Sequence, residues 1–182
     1  NEVEQARHML TERIGNITNS RMRGVQLNMA IDETLTDDEA YTLNIDARNV
    51  TIKGRTAKGV FYALMTLDQL LRGNGTTECV DAIPALSISD KPRTHVRELM
   101  VDPARIFIPF DELKAFIPEM ARYKLNALHL HLVDDQSWRI EIKKYPQLTA
   151  QASYRWGQDD LQMPISGYYT QDEMRELVKY AA

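Results

Sequence analysis

Two periods of hydrophobic and polar residues run along this chain, and the change from one to the other divides it. Val3, Ala6, Leu10 and Ile14 recur at helical spacing before Gly15, which predicts a short amphipathic helix over 3–14 ending at glycine. Val25, Leu27, Met29 and Ile31 then alternate with polar or small neighbours, the two-residue period of a half-buried strand. Tyr41–Ile45 and Val50–Ile52 repeat that period on either side of Asp46-Ala47-Arg48-Asn49, which predicts a hairpin. From Thr56 to Arg72 the spacing becomes helical again, with Val60, Phe61, Leu64, Leu67, Leu70 and Leu71 on one face. Gly73-Asn74-Gly75 follows as a loop, Pro84–Ile88 adds a strand, and Asp90-Lys91-Pro92-Arg93 marks a boundary near residue 91. Residues 1–91 therefore predict a small α+β domain.

Beyond the boundary strands and helices take turns. Arg97–Asp102 reads as a strand, and Asp111–Tyr123 as a helix with Leu113, Phe116, Ile117 and Met120 on one face. Pro118 lies inside that helix, where it removes a backbone donor and predicts a kink or a cost of about 3 kcal/mol. Ala127–Val133 is a second strand, and strand-helix alternation implies a parallel sheet. Thr170-Gln171-Asp172-Glu173 forms a capping box ahead of Met174, Leu177, Val178 and Ala181. No terminator follows, so Ala182 is expected to be an artificial or proteolytic end, with open sheet edges.

Composition narrows the class. With 43% hydrophobic and 26% charged residues, the 182-residue chain is that of a globular protein. It has no apolar run of 18 residues, and Asn1-Glu2-Val3-Glu4 is acidic where a leader would be basic, so no membrane or export segment is expected within it. A periplasmic or secreted location is expected if a leader has been removed. The net charge of −4 with scattered basic residues argues against nucleic acid and favours a neutral ligand. A lone Cys79 forms no internal disulfide, and the sequons at Asn16, Asn49 and Asn74 read as chance.

The chemistry concentrates at the end of the second strand of the latter half, in His129-Leu130-His131-Leu132-Val133-Asp134-Asp135-Gln136-Ser137-Trp138-Arg139. Carboxylates there stand where parallel strands leave their sheet, the edge at which such folds bind ligands. The plainer reading is an Asp pair that caps the next loop. Arg105, just past the first strand, lies beside Asp134 if the two strands are neighbours; its donor fork suits paired sugar hydroxyls, or equally a rim ion pair. His129 and His131 at i and i+2 share a strand face and raise the question of zinc, but no third histidine lies nearby and packed histidines explain them better. Trp138 and Trp156 fit either core packing or stacking on a sugar.

Several of these segments resemble one family. Leu99-Met100-Val101-Asp102-Pro103-Ala104-Arg105, Tyr123-Lys124-Leu125-Asn126-Ala127-Leu128-His129-Leu130-His131-Leu132-Val133-Asp134-Asp135-Gln136-Ser137-Trp138-Arg139-Ile140-Glu141 and Gly167-Tyr168-Tyr169-Thr170 closely resemble family 20 glycoside hydrolases, the β-N-acetylhexosaminidases. Gly54-Arg55-Thr56-Ala57-Lys58-Gly59-Val60-Phe61-Tyr62-Ala63-Leu64 looks like the small domain before their barrel. The resemblance implies a small α+β domain over 1–91 and, over 92–182, the first two βα units of a TIM (β/α)8 barrel. It implies that Arg105 holds hydroxyls of a terminal N-acetylhexosamine and that Asp134 supports the catalytic region through a later histidine, with no metal and no cofactor. The family's mechanism is substrate-assisted: the acetamido oxygen attacks the anomeric carbon, an Asp orients it, and a neighbouring Glu protonates the leaving oxygen. That Asp-Glu pair belongs to a later strand, so no catalytic residue of that pair is expected within this chain. A barrel takes roughly 250 residues, whereas 92–182 suffices for about two of its eight units. Ile106 departs from the family, which usually has His there, and Pro118 is unusual in the first barrel helix. The expected activity is exo-hydrolysis of terminal N-acetylhexosamine from glycans or chitooligosaccharides by a larger enzyme; a non-catalytic carbohydrate-binding module is the alternative. An incomplete barrel exposes apolar strands and favours self-association.

Overall fold

The computed structural model describes residues 25–72, 83–153 and 166–182. The helix expected over 3–14, the loop at Gly73–Gly75, Cys79 and Trp156 lie outside the described residues. The fold divides into two compact units, one running to His95 and including Arg122–Lys124, the other made of Val96–Ala121 and Leu125–Ala182.

The first unit is a four-stranded sheet with one helix. Strands β1 (Gln26–Ile31), β2 (Tyr41–Ile45), β3 (Asn49–Gly54) and β4 (Leu86–Asp90) lie in the order β1-β3-β2-β4. β2 and β3 form the expected antiparallel hairpin, and β1 joins β3 in parallel. The turn is set by Asp46, whose Oδ1 accepts the backbone N–H groups of Arg48 and Asn49, both at 2.8 Å. Asn49 Nδ2 donates to both oxygens of Asp46 at 3.2 Å, so the side chain of this sequon is engaged in the turn. Helix α1 (Ala57–Arg72) starts at Thr56, whose Oγ1 accepts from Lys58 N at 3.2 Å. Its first turn touches the sheet because Gly54 and Gly59 carry no side chain: a Cβ on Gly59 would stand 2.3 Å from the Ala40 carbonyl oxygen. Leu43, Ile52 and Leu64 are fully buried between sheet and helix, each stabilising the unit by about 1.5–3 kcal/mol. One expectation fails here. β1 is not half-buried: among the described residues it pairs with β3 alone, and its Leu27 and Ile31 are 44% and 52% exposed.

In the second unit β5 (Glu98–Val101) and β6 (Ala127–Leu130) pair in parallel, and helix α2 (Phe110–Arg122), all but its last residue in this unit, lies between them in sequence. A short hairpin of β7 (Val133–Asp134) and β8 (Ser137–Trp138), helix α3 (Gln147–Ala152) and helix α4 (Gln171–Ala181) follow. The strand expected over 127–133 is broken at His131 and Leu132. His131 N still donates to Val101 O at 2.9 Å, but its carbonyl accepts from Ala104 N at 3.1 Å, which bends the chain away from β5 and into the hairpin. Pro118 removes its own ladder bond but does not end α2, which continues to Arg122. Only part of each predicted apolar face is used. Leu113, Leu177, Val101 and Tyr169 form the core, with Ile117 and Met174 packed against it, whereas Phe116 and Val178 are exposed at the margin. The capping box of α4 is complete: Thr170 Oγ1 accepts from Glu173 N at 3.1 Å and Glu173 Oε2 accepts from Thr170 N at 2.7 Å. No helix of the described residues is long and apolar enough to cross a membrane.

Candidate carbohydrate-binding site

Arg105 rides on a turn immediately after β5, with its side chain 53% exposed. Two carboxylates flank its guanidinium. Asp102 Oδ2 meets Nη1, and Asp134 Oδ2 lies 3.0 Å from Nη2. The two residues singled out in the sequence, 29 positions apart, are thus brought together, and the Arg105–Asp134 pair is the rim ion pair that the sequence left as one of two readings. Asp134 also fulfils the local role, since its Oδ1 accepts the backbone N–H of Asp135 at 2.7 Å. The capping and the site-facing functions therefore sit on the two oxygens of one carboxylate. Asp135 itself is exposed.

Both carboxylates are held in the charged form. Partial burial pushes Asp102 up, but the hydrogen bonds from the Arg105 side chain and backbone N–H, together with its positive charge, outweigh that and hold the carboxyl below its ordinary range. Asp134 is lowered chiefly by the Asp135 N–H, with further help from Arg105. His131 Nε2 stands 2.8 Å from Asp134 Oδ2, close in distance although not aligned for a regular hydrogen bond. His129 takes a different partner, with Nδ1 3.1 Å from Glu98 Oε1. The two histidines do not converge, and among the described residues no three His, Cys, Asp or Glu side chains group as a metal site.

Two residues of this region escaped the sequence reading. Arg139 is fully buried, and Ser137 is nearly so. Arg139 Nε donates to Pro103 O at 2.9 Å, while Nη1 donates to Gly167 O at 2.9 Å and to Ser153 O. Its guanidinium carbon lies 5.6 Å from the centre of the Phe107 ring. Ser137 Oγ donates to Ala104 O at 2.5 Å. A charged residue after a tryptophan reads as a surface position, and nothing in its spacing reveals carbonyls that arrive from residues 103, 153 and 167. Trp138, by contrast, is partly buried and donates from Nε1 to Ile140 O at 2.6 Å, in line with a packing role.

Arranged this way, the edge presents a charged planar donor group flanked by two ionised acceptors. Such a set matches adjacent hydroxyls on a sugar, which need donors and acceptors in one plane. The lowered Asp102 and Asp134 carboxyls suit acceptors, whereas a glycosidase general acid is a carboxyl with a raised pKa.

Comparison with known proteins supports the same direction. Residues 95–182 match the sequence profile described as glycosyl hydrolase family 20, catalytic domain, and residues 2–91 that of glycosyl hydrolase family 20, domain 2. A beta-hexosaminidase of Porphyromonas gingivalis is 41% identical over 149 residues, covering 80% of this chain and 19% of that protein. One from Akkermansia muciniphila is 43% identical over 160 residues, covering 82% of this chain and 31% of its own length. Among solved structures, the family 20 exo β-N-acetylglucosaminidase of Vibrio harveyi in complex with N-acetylglucosamine superposes with a TM-score of 0.78 at 32% identity, over 100% of this chain and 29% of that one. The chain spans about a fifth to a third of the length of these relatives.

Proposed function

The chain belongs to glycosyl hydrolase family 20, and from that premise we propose that it forms the small domain and the first two βα units of the barrel of an exo-acting β-N-acetylhexosaminidase. In this reading Arg105 holds hydroxyls of the terminal N-acetylhexosamine, and Asp134 supports both Arg105 and the catalytic region. The observation that carries it is the position of Arg105: an exposed guanidinium beyond the ends of paired parallel strands, held in place by Asp102 and Asp134. Hydrolysis is substrate-assisted and retaining, with the sugar's own acetamido oxygen as nucleophile. The Asp that orients the acetamide and the Glu that protonates the leaving oxygen come from outside these 182 residues. Asp134 and Asp135 do not replace them, because Asp134 is committed to Arg105 and to the turn, and adjacent residues of an extended chain face opposite ways.

The test uses the full-length polypeptide that carries this segment, with a chromogenic N-acetyl-β-glucosaminide as substrate. Loss of charged hydrogen bonds to the sugar in Arg105→Ala should lower kcat/KM by about 10²-fold, mainly through KM. A full-length protein that releases no chromophore, or an Arg105→Ala variant with wild-type KM, refutes the reading.

A further inference from the structure

We propose that Ser137 and Arg139 are positioning residues that set the reach of Arg105 toward the sugar, an inference that rests on the sugar-holding role given to Arg105 above. Arg105 follows two buried residues, Pro103 and Ala104, whose backbone is tied at every polar group. Pro103 O accepts from Arg139 Nε at 2.9 Å, Ala104 O accepts from Ser137 Oγ at 2.5 Å, and Ala104 N donates to His131 O at 3.1 Å. Arg105 N itself donates to Asp102 Oδ1 at 3.1 Å. A long arginine side chain reaches a defined point only if its Cα is fixed, and these four bonds fix it.

The hairpin β7–β8 connects the two ends of the side chain. Asp134 and Ser137 are directly paired across it. Ser137 holds the backbone just before Arg105, while Asp134 receives the guanidinium at 3.0 Å. One rigid two-residue pairing therefore registers both the root and the tip of Arg105. Arg139, one residue beyond the hairpin, extends the clamp by gathering the carbonyls of Pro103, Ser153 and Gly167 around a single buried fork. Removing the Ser137 hydroxyl leaves the Arg105 head and its carboxylates intact but releases the chain beneath them, so the defect should appear in ground-state binding and not in the chemical step.

The experiment is a double-mutant cycle in the full-length enzyme, again with a chromogenic N-acetyl-β-glucosaminide. Ser137→Ala should raise KM about three- to tenfold with kcat within about twofold, and should add nothing further in an Arg105→Ala background, because its effect passes through Arg105. Arg139→Lys, which keeps the charge but loses the fork, should behave in the same way; if it fails to fold, Ser137→Ala carries the test alone. An equal KM factor in both backgrounds, or no KM change in Ser137→Ala, overturns the inference. Failure of the sugar-holding reading shows separately, as an Arg105→Ala enzyme with unchanged KM.

Discussion

Replacing Arg139 by leucine tests whether the buried guanidinium stabilises the loops it joins or merely tolerates burial. The substitution strips three backbone carbonyls of a charged donor. Pro103 is fully buried, so its orphaned carbonyl should cost about 1–3 kcal/mol. Ser153 and Gly167 are half-buried, and water can reach their carbonyls in part, so roughly 1 kcal/mol each is the appropriate scale. Loss of the stack on Phe107 adds about 0.5–1 kcal/mol. Against these stands the desolvation of a cation, which leucine avoids and which can make such replacements neutral or favourable. With several acceptors already gathered around the site, the hydrogen-bonding loss should win, leaving a net destabilisation of about 3 kcal/mol.

Native-state hydrogen exchange provides the assay. The amides of Ala104, Glu141 and Tyr169 are bonded to His131 O, Tyr169 O and Arg139 O, and they open only when this cluster does. At about 1.4 kcal/mol per tenfold, their exchange should accelerate by roughly two orders of magnitude in Arg139→Leu and by about tenfold in Arg139→Lys. Unchanged or slower exchange in Arg139→Leu would mean that desolvation dominates, and the reasoning would be wrong.

Acid should release the Arg105 network in a defined direction. Because Asp102 and Asp134 titrate below their ordinary values in the fold, the stability they contribute is fully present above the unfolded carboxyl range near pH 4 and is lost as pH falls through the lowered values. A pH series of Tm should therefore fall less steeply below about pH 4 in Asp102→Asn than in wild type; superimposable acid limbs would contradict the assignment. Thr170→Ala removes half of the capping box and should cost about 1 kcal/mol, with little further loss on adding Glu173→Ala. Thermal denaturation in which the two changes add fully would show that the box is not reciprocal.

Much of this fold was legible in the chain because its signals are local. The Asp46–Asn49 turn, the α1 stripe and the Thr170–Glu173 box each rest on interactions between residues a few positions apart, and each is present as expected. Apolar faces were legible only in part: a period marks which residues can be buried, but the neighbours decide which are, so Leu27, Phe116 and Val178 remain exposed on faces whose other members pack. The strand through His131 ended early because a carbonyl bond to Ala104, 27 residues away, competes with the ladder.

The candidate site divides along the same line. Sequence alone determined that a donor fork and a carboxylate, Arg105 and Asp134, stand just past two strand ends, and the motifs around them carried the resemblance to the family. Tertiary structure alone decided that they meet at 3.0 Å, that Asp102 completes the clamp, and that Ser137 and Arg139 lie beneath it. The physical reason is the difference between a residue's own chemistry and its partners. Donor number and charge belong to the side chain and can be read from a letter, whereas a buried arginine is stable only through carbonyls that folding delivers from elsewhere in the chain.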